Sequence, residues 1–156
     1  MSETFKDQHP EMQHLARELA LLRVHNVQLT DDNVDREALL MAEAAVVCMS
    51  LERFLRITLG PQVKAGDTLG ALLDKAFSER LQLLQFPGHD VDAIKKRLRL
   101  FRNAVLHGDY EAAAANAGCA TIHEYFRTKF TPEIEEFYQT VNAMIAQVDQ
   151  QTGQRG

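Results

Sequence analysis

Apolar positions along this chain recur at spacings of three and four, the period of a helix with one buried face. No β-branched run alternates at a spacing of two, so strands are not expected. The first helix is predicted to start at Pro10, whose fixed φ and missing N–H suit a first turn. Leu15, Leu19 and Leu22 give it an apolar stripe. Residues 25–33 read as a polar connection, with Asp31, Asp32 and Asn33 as candidate caps. A longer helix follows, from about Asp35 to Leu59. Leu40, Ala44, Val47, Leu51, Phe54 and Ile57 form its main stripe. A second apolar edge at Leu39, Val46 and Met49 predicts burial on more than one side. Gly60-Pro61 ends this helix.

A third helix is predicted from Thr68 to about Leu84, capped by Asp67 or Thr68 and buried through Leu69, Leu72, Leu73, Ala76 and Leu83. Phe86-Pro87-Gly88 stops it. Asp90 or Asp92 can cap a fourth helix, in which Ile94, Leu98, Phe101 and Val105 are spaced four, three and four. Gly108 stands where a left-handed residue is wanted after the last turn. A short helix fits residues 111–117. Residues 121–147 suit a final helix or helix pair, with Pro132 permitting a new start. The fold class that follows is all-α: an up-and-down four-helix bundle with an additional short helix. Its domain spans residues 10–149, between an N-terminal tail of residues 1–9 and a C-terminal tail of residues 150–156.

With 156 residues, of which 46% are hydrophobic, the chain is large enough for one buried core. No apolar run approaches the roughly 20 residues of a membrane span, and the start of the chain lacks an apolar signal core. A cytoplasmic protein without membrane contact is the expectation. Cys48 falls in an apolar helical run and reads as a buried thiol; Cys119 reads as structural. A formal net charge of -5 argues against wrapping duplex DNA over the whole surface. A local basic patch remains, made of Lys95, Lys96, Arg97, Arg99 and Arg102.

Six histidines are present, at positions 9, 14, 25, 89, 107 and 123, but none forms HxxxH or HExxH. No metal and no cofactor is expected. Gly66 to Gly70 lacks the Gly-Lys-Ser/Thr of a phosphate loop, and no GxSxG occurs. The fourth helix holds the chemistry that is left. Asn103 and His107 are four apart and share a face, and Arg99 neighbours both Arg102 and Asn103. Arg102 and His107 are five apart, roughly 140° on a straight helix. A second copy of the helix across a two-fold axis would bring both groups into one cleft, so a homodimer through this helix is expected.

The stretch RNAVLHG resembles the Arg-x4-6-His motif of the HEPN superfamily, which favours a polar residue directly after the arginine. The long Ala/Leu-rich helix ending LERFLR before the motif helix is similar too. The resemblance implies a HEPN-type bundle that dimerises. It also implies a metal-independent endoribonuclease, in a toxin–antitoxin or phage-defence setting. Arg102 and His107 then match the catalytic pair, with Asn103 as the polar residue. Histidine can move the proton of the 2'-hydroxyl, and arginine can stabilise charge on the phosphate. Arg99, Lys96 and Lys95 are the candidate RNA-backbone contacts. One toxin branch resembles Arg-x4-His-x-Tyr, with the tyrosine modified by a nucleotidyltransferase antitoxin. Here Tyr110 stands one position further on. Tyr110 and Asp109 are thus candidate modified or accessory residues, and an antitoxin protein a candidate partner. Two rivals stand beside an RNA-cleaving enzyme. One is a non-catalytic HEPN module binding nucleotide, RNA or a protein partner. The other is a helical adaptor.

Overall fold

The computed structural model describes residues 4–28, 34–81 and 83–155. Described residues form helices and turns, without strands. The helices are α1 (Phe5–Gln8), α2 (Pro10–Gln28), α3 (Val34–Leu59), α4 (Leu69–Ala76), α5 (Val91–His107), α6 (Tyr110–Asn116), α7 (Ile122–Thr128) and α8 (Phe130–Arg155). A single 3-10 turn, Gly60–Gln62, follows α3.

α3 is the central element and packs against α2, α4, α5 and α8. Its stripe is buried from Leu40 through Ala44, Val47 and Leu51 to Phe54, as the spacing predicts. The second edge behaves differently. Leu39 and Val46 are half-buried, and Met49 is 43% exposed, so this edge turns towards solvent. Cys48 and Leu55 take the second buried line instead. Burial pushes the Cys48 thiol far above its ordinary range, which keeps it protonated and unreactive.

Four further expectations are corrected. The third helix stops at Ala76 instead of running to Leu84. The chain folds back there, because the Leu84 N–H takes the Ala76 carbonyl at 3.0 Å and the Ser78 hydroxyl accepts from Leu81 N–H at 3.2 Å. The helix at residues 5–8 is docked, not part of a free tail. Phe5 is buried, its ring 5.1 Å from that of Phe54, and its N–H donates to Asp149 at 2.6 Å. Nor is the end frayed from residue 150, since α8 continues to Arg155 and Gln151 donates to the Leu83 carbonyl at 3.0 Å. α2 also outruns its predicted end at Val24 and continues to Gln28. The candidate caps Asp31, Asp32 and Asn33 lie outside the described residues.

The helix that carries the motif begins and ends as its sequence dictates. The Asp90 side chain accepts from the Ala93 N–H at 3.2 Å, capping α5. Leu98, Phe101 and Ala104 face the core, where Phe101 meets Phe130 and Phe137. At the far end Gly108 has φ 72 and ψ 17, a conformation that any side chain would strain. That stop makes His107 the last helical residue. Among the described residues no helix is long and apolar enough to cross a membrane.

Candidate functional site

Arg102 leaves α5 on the side that meets α3. Its Nε and Nη2 both donate to Oε1 of Glu52, at 2.9 and 2.8 Å. Both side chains are 22% exposed, so the pair sits at the rim of the core, where solvent screening is weaker than at the open surface. The remaining nitrogen, Nη1, points along the helix. It lies 3.1 Å from His107 Nε2 and makes a long 3.4 Å contact to Asn103 Oδ1.

This geometry corrects the expected need for a second helix. The five-residue gap is bridged within one chain, because the guanidinium is long enough to lie along the last turn and reach the imidazole. The contact also fixes the histidine tautomer. A guanidinium has donors and no acceptor, so Nε2 must present its lone pair and the ring proton sits on Nδ1. An imidazole in that form has its basic nitrogen at Nε2, held against the Arg102 guanidinium.

The basic patch divides on folding. Lys95 bonds Asp74 of α4 at 2.9 Å and lies 3.5 Å from Asp92; the hydrogen bond to Asp74 raises its pKa above the ordinary lysine value. Arg97 turns to α8, pairing with Glu136 at 3.0 Å and reaching Thr140 at 3.4 Å. Lys96 and Arg99 project into solvent and have no ion pair among the described residues. Lys96, Arg99, Asn103 and His107 fall at spacings of three, four and four, so the two free cations, the amide and the imidazole share one face of α5. Arg97 does not join that face, and Lys95 reaches it only by giving up its carboxylates.

Tyr110 and Asp109 follow the helix stop. Asp109 is exposed and flanks α6 without a side-chain cap. Tyr110 is 8% exposed, its ring packed 4.8 Å from Phe126 and edge-on to Phe130. Its hydroxyl is buried and has no hydrogen-bond partner among the described residues, and burial raises its pKa above the ordinary value. In this conformation Tyr110 is a core residue, closed to a modifying enzyme.

Glu52 is the partner of Arg102 that sequence reasoning missed. It lies 50 positions before Arg102, in the stretch LERFLR. Cys48, one turn earlier on α3, is close enough to interact electrostatically with Arg102, and Tyr110 with Cys48. α5 runs against α8, with Arg97 at Glu136 and Phe101 at Phe130, whereas α3 runs along α8, since Phe5 joins Phe54 to Asp149 and Arg23 joins Glu43 to Glu135; α3 and α5 are therefore antiparallel. Met49 precedes Glu52 by one turn and Leu106, 40% exposed, follows Arg102 by one turn. Exposed apolar side chains thus flank the Glu52–Arg102 pair on both helices. Among the described residues no three His, Cys, Asp or Glu side chains are grouped to hold a metal ion. No family model, curated protein or solved structure matches the chain.

Proposed function

We propose that this protein is a HEPN-type, metal-independent endoribonuclease. The 3.1 Å contact between Arg102 Nη1 and His107 Nε2 carries this reading, since it brings the two motif residues to one point with the histidine in its basic tautomer. RNA enters along the face of α5 with its backbone on Lys96 and Arg99. A phosphate oxygen draws Nη1 away from the imidazole, which frees the Nε2 lone pair. The 2'-hydroxyl gives its proton to Nε2 as its oxygen bonds to phosphorus. The bond from phosphorus to the 5'-oxygen breaks, and the leaving oxygen takes a proton from water. Arg102 carries the charge that builds on the phosphate oxygens. The imidazolium then returns its proton to water. The products are a 2',3'-cyclic phosphate and a 5'-hydroxyl end.

A homodimer through α5 belongs to the same reading. Its geometric motive has changed: the pair converges without a partner, but Met49 and Leu106 leave an apolar rim that a second copy would cover. A toxin–antitoxin or phage-defence setting is the biological context that goes with this activity. The second reading is a binding module without chemistry, for nucleotide, RNA or a protein. It is favoured by the thinning of the basic patch, since Lys95 and Arg97 are both engaged by carboxylates.

Incubation with mixed single-stranded RNA in EDTA separates the two. Cleavage that survives the chelator and leaves cyclic phosphate ends is the expected result. Binding with intact RNA supports the module instead. Products carrying a 3'-hydroxyl would contradict attack by the 2'-oxygen.

A further inference from the structure

We infer that Glu52 is a positioning residue: it latches one edge of the Arg102 guanidinium so that Nη1 faces the phosphate. This rests on the ribonuclease reading above. Arg102 has four rotatable side-chain torsions, and a free arginine loses rotamer entropy when it is fixed. Glu52 takes that ordering out of the substrate-binding step. Nε and Nη2 converge on a single carboxylate oxygen, so the planar fork is held by its inner edge, and Nη1, now at His107 and Asn103, is the end turned towards a ligand. The latch itself has a rigid base. Leu51 and Leu55, beside Glu52 on α3, are fully buried, and so is Cys48 one turn before it.

Charge makes a second contribution. Glu52 offsets the charge of Arg102 while leaving the Nη1 hydrogens in place. The site keeps its directional donors but loses part of its undirected attraction for any phosphate. Interactions of that undirected kind tighten ground state and transition state alike and add nothing to the chemical step. Glu52 therefore has opposite effects on binding and on turnover, which neither an RNA-contacting residue nor a merely structural one would have.

The test uses the full chain carrying Glu52→Gln, with Glu52→Asp beside it. The aspartate keeps the charge but is one methylene too short to hold both donors. Three readouts are needed: the Arg102 Nε–H resonance, assigned by its loss in Arg102→Lys; affinity for a non-cleavable 2'-O-methyl RNA; and single-turnover cleavage of unmodified RNA. In Glu52→Gln the resonance shifts and its hydrogen exchanges faster. RNA affinity is unchanged or tighter. Cleavage falls by about 10²-fold, the scale of a misplaced reacting group. In Glu52→Asp cleavage falls with affinity unchanged, which decides the matter if the glutamine variant does not fold. An unaltered Nε–H resonance, an unaltered cleavage rate, or weakened binding at an unaltered rate would each overturn the latch. Failure of the wild type to cleave any RNA overturns the ribonuclease reading alone, and the resonance then decides the latch by itself.

Discussion

Arg102 has three donor-bearing nitrogens, and they divide between two sides: two go to Glu52 and one to His107, with Asn103 beside it. Half of this arrangement was legible from the chain. The motif pattern marks Arg102, Asn103 and His107, and Gly108 marks where the helix must stop. Glu52 was not legible, because an acidic residue on a long helix has many partners open to it and only tertiary packing selects one. Tyr110 shows the reverse case. Its place after the motif suggested chemistry, while the structure gives it a packing role with an unpaired buried hydroxyl. Tyr110→Phe removes that hydroxyl and its desolvation cost. The variant is expected to match the wild type or gain about 1 kcal/mol of stability, with cleavage unchanged. Thermal denaturation and a cleavage assay check this, and lost activity would return Tyr110 to the site.

The elements were predicted best where local signals act alone. Asp90 caps α5 and Gly108 ends it, both read directly from residue type. Asp90→Ala should cost about 1 kcal/mol, measured by urea denaturation, since the capped N–H loses its acceptor. α4 was predicted too long because Leu81, Leu83 and Leu84 continue a helical spacing. What breaks it comes from far along the chain. Gln85 and Gln147 exchange hydrogen bonds of 3.0 and 2.8 Å, which tie the fold-back to α8. The joint between α7 and α8 rests on another pairing. The Tyr125 hydroxyl donates to Glu133, whose pKa burial raises above the ordinary carboxyl value. A raised folded-state pKa means that the protonated acid is the favoured form in the fold. Its stabilisation is complete below the unfolded value and is lost as pH rises through the folded value. Glu133→Gln keeps an acceptor for Tyr125 and removes the titration. The difference in melting temperature between wild type and Glu133→Gln should therefore move in favour of the variant as pH rises through the carboxyl range. A pH-independent difference would contradict the assignment.

At the scale of the whole molecule, the ribonuclease proposal requires an acidic protein to engage RNA through a narrow strip. Lys96 and Arg99 are the unpaired cations on the motif face of α5, so few phosphates can be neutralised at once. The dependence of log affinity on log salt should be shallow, about −0.7 per phosphate contact for a single strand. Lys96→Ala and Arg99→Ala should each flatten it by roughly one such step, while Lys95→Ala, which removes a cation already paired with Asp74, should change it less. Titration at several salt concentrations measures this. The apolar rim makes a separate claim. Met49→Glu or Leu106→Glu should yield a monomer by light scattering, whereas an unchanged mass would remove the proposed interface. The cleavage effects all depend on whether the Arg102–His107 pair performs chemistry. The most direct measurement is the single-turnover cleavage rate of His107→Ala in EDTA, on protein whose circular dichroism matches the wild type. The account predicts a loss of about 10²–10⁴-fold, the usual contribution of a proton-transferring side chain. Cleavage at the wild-type rate would contradict it.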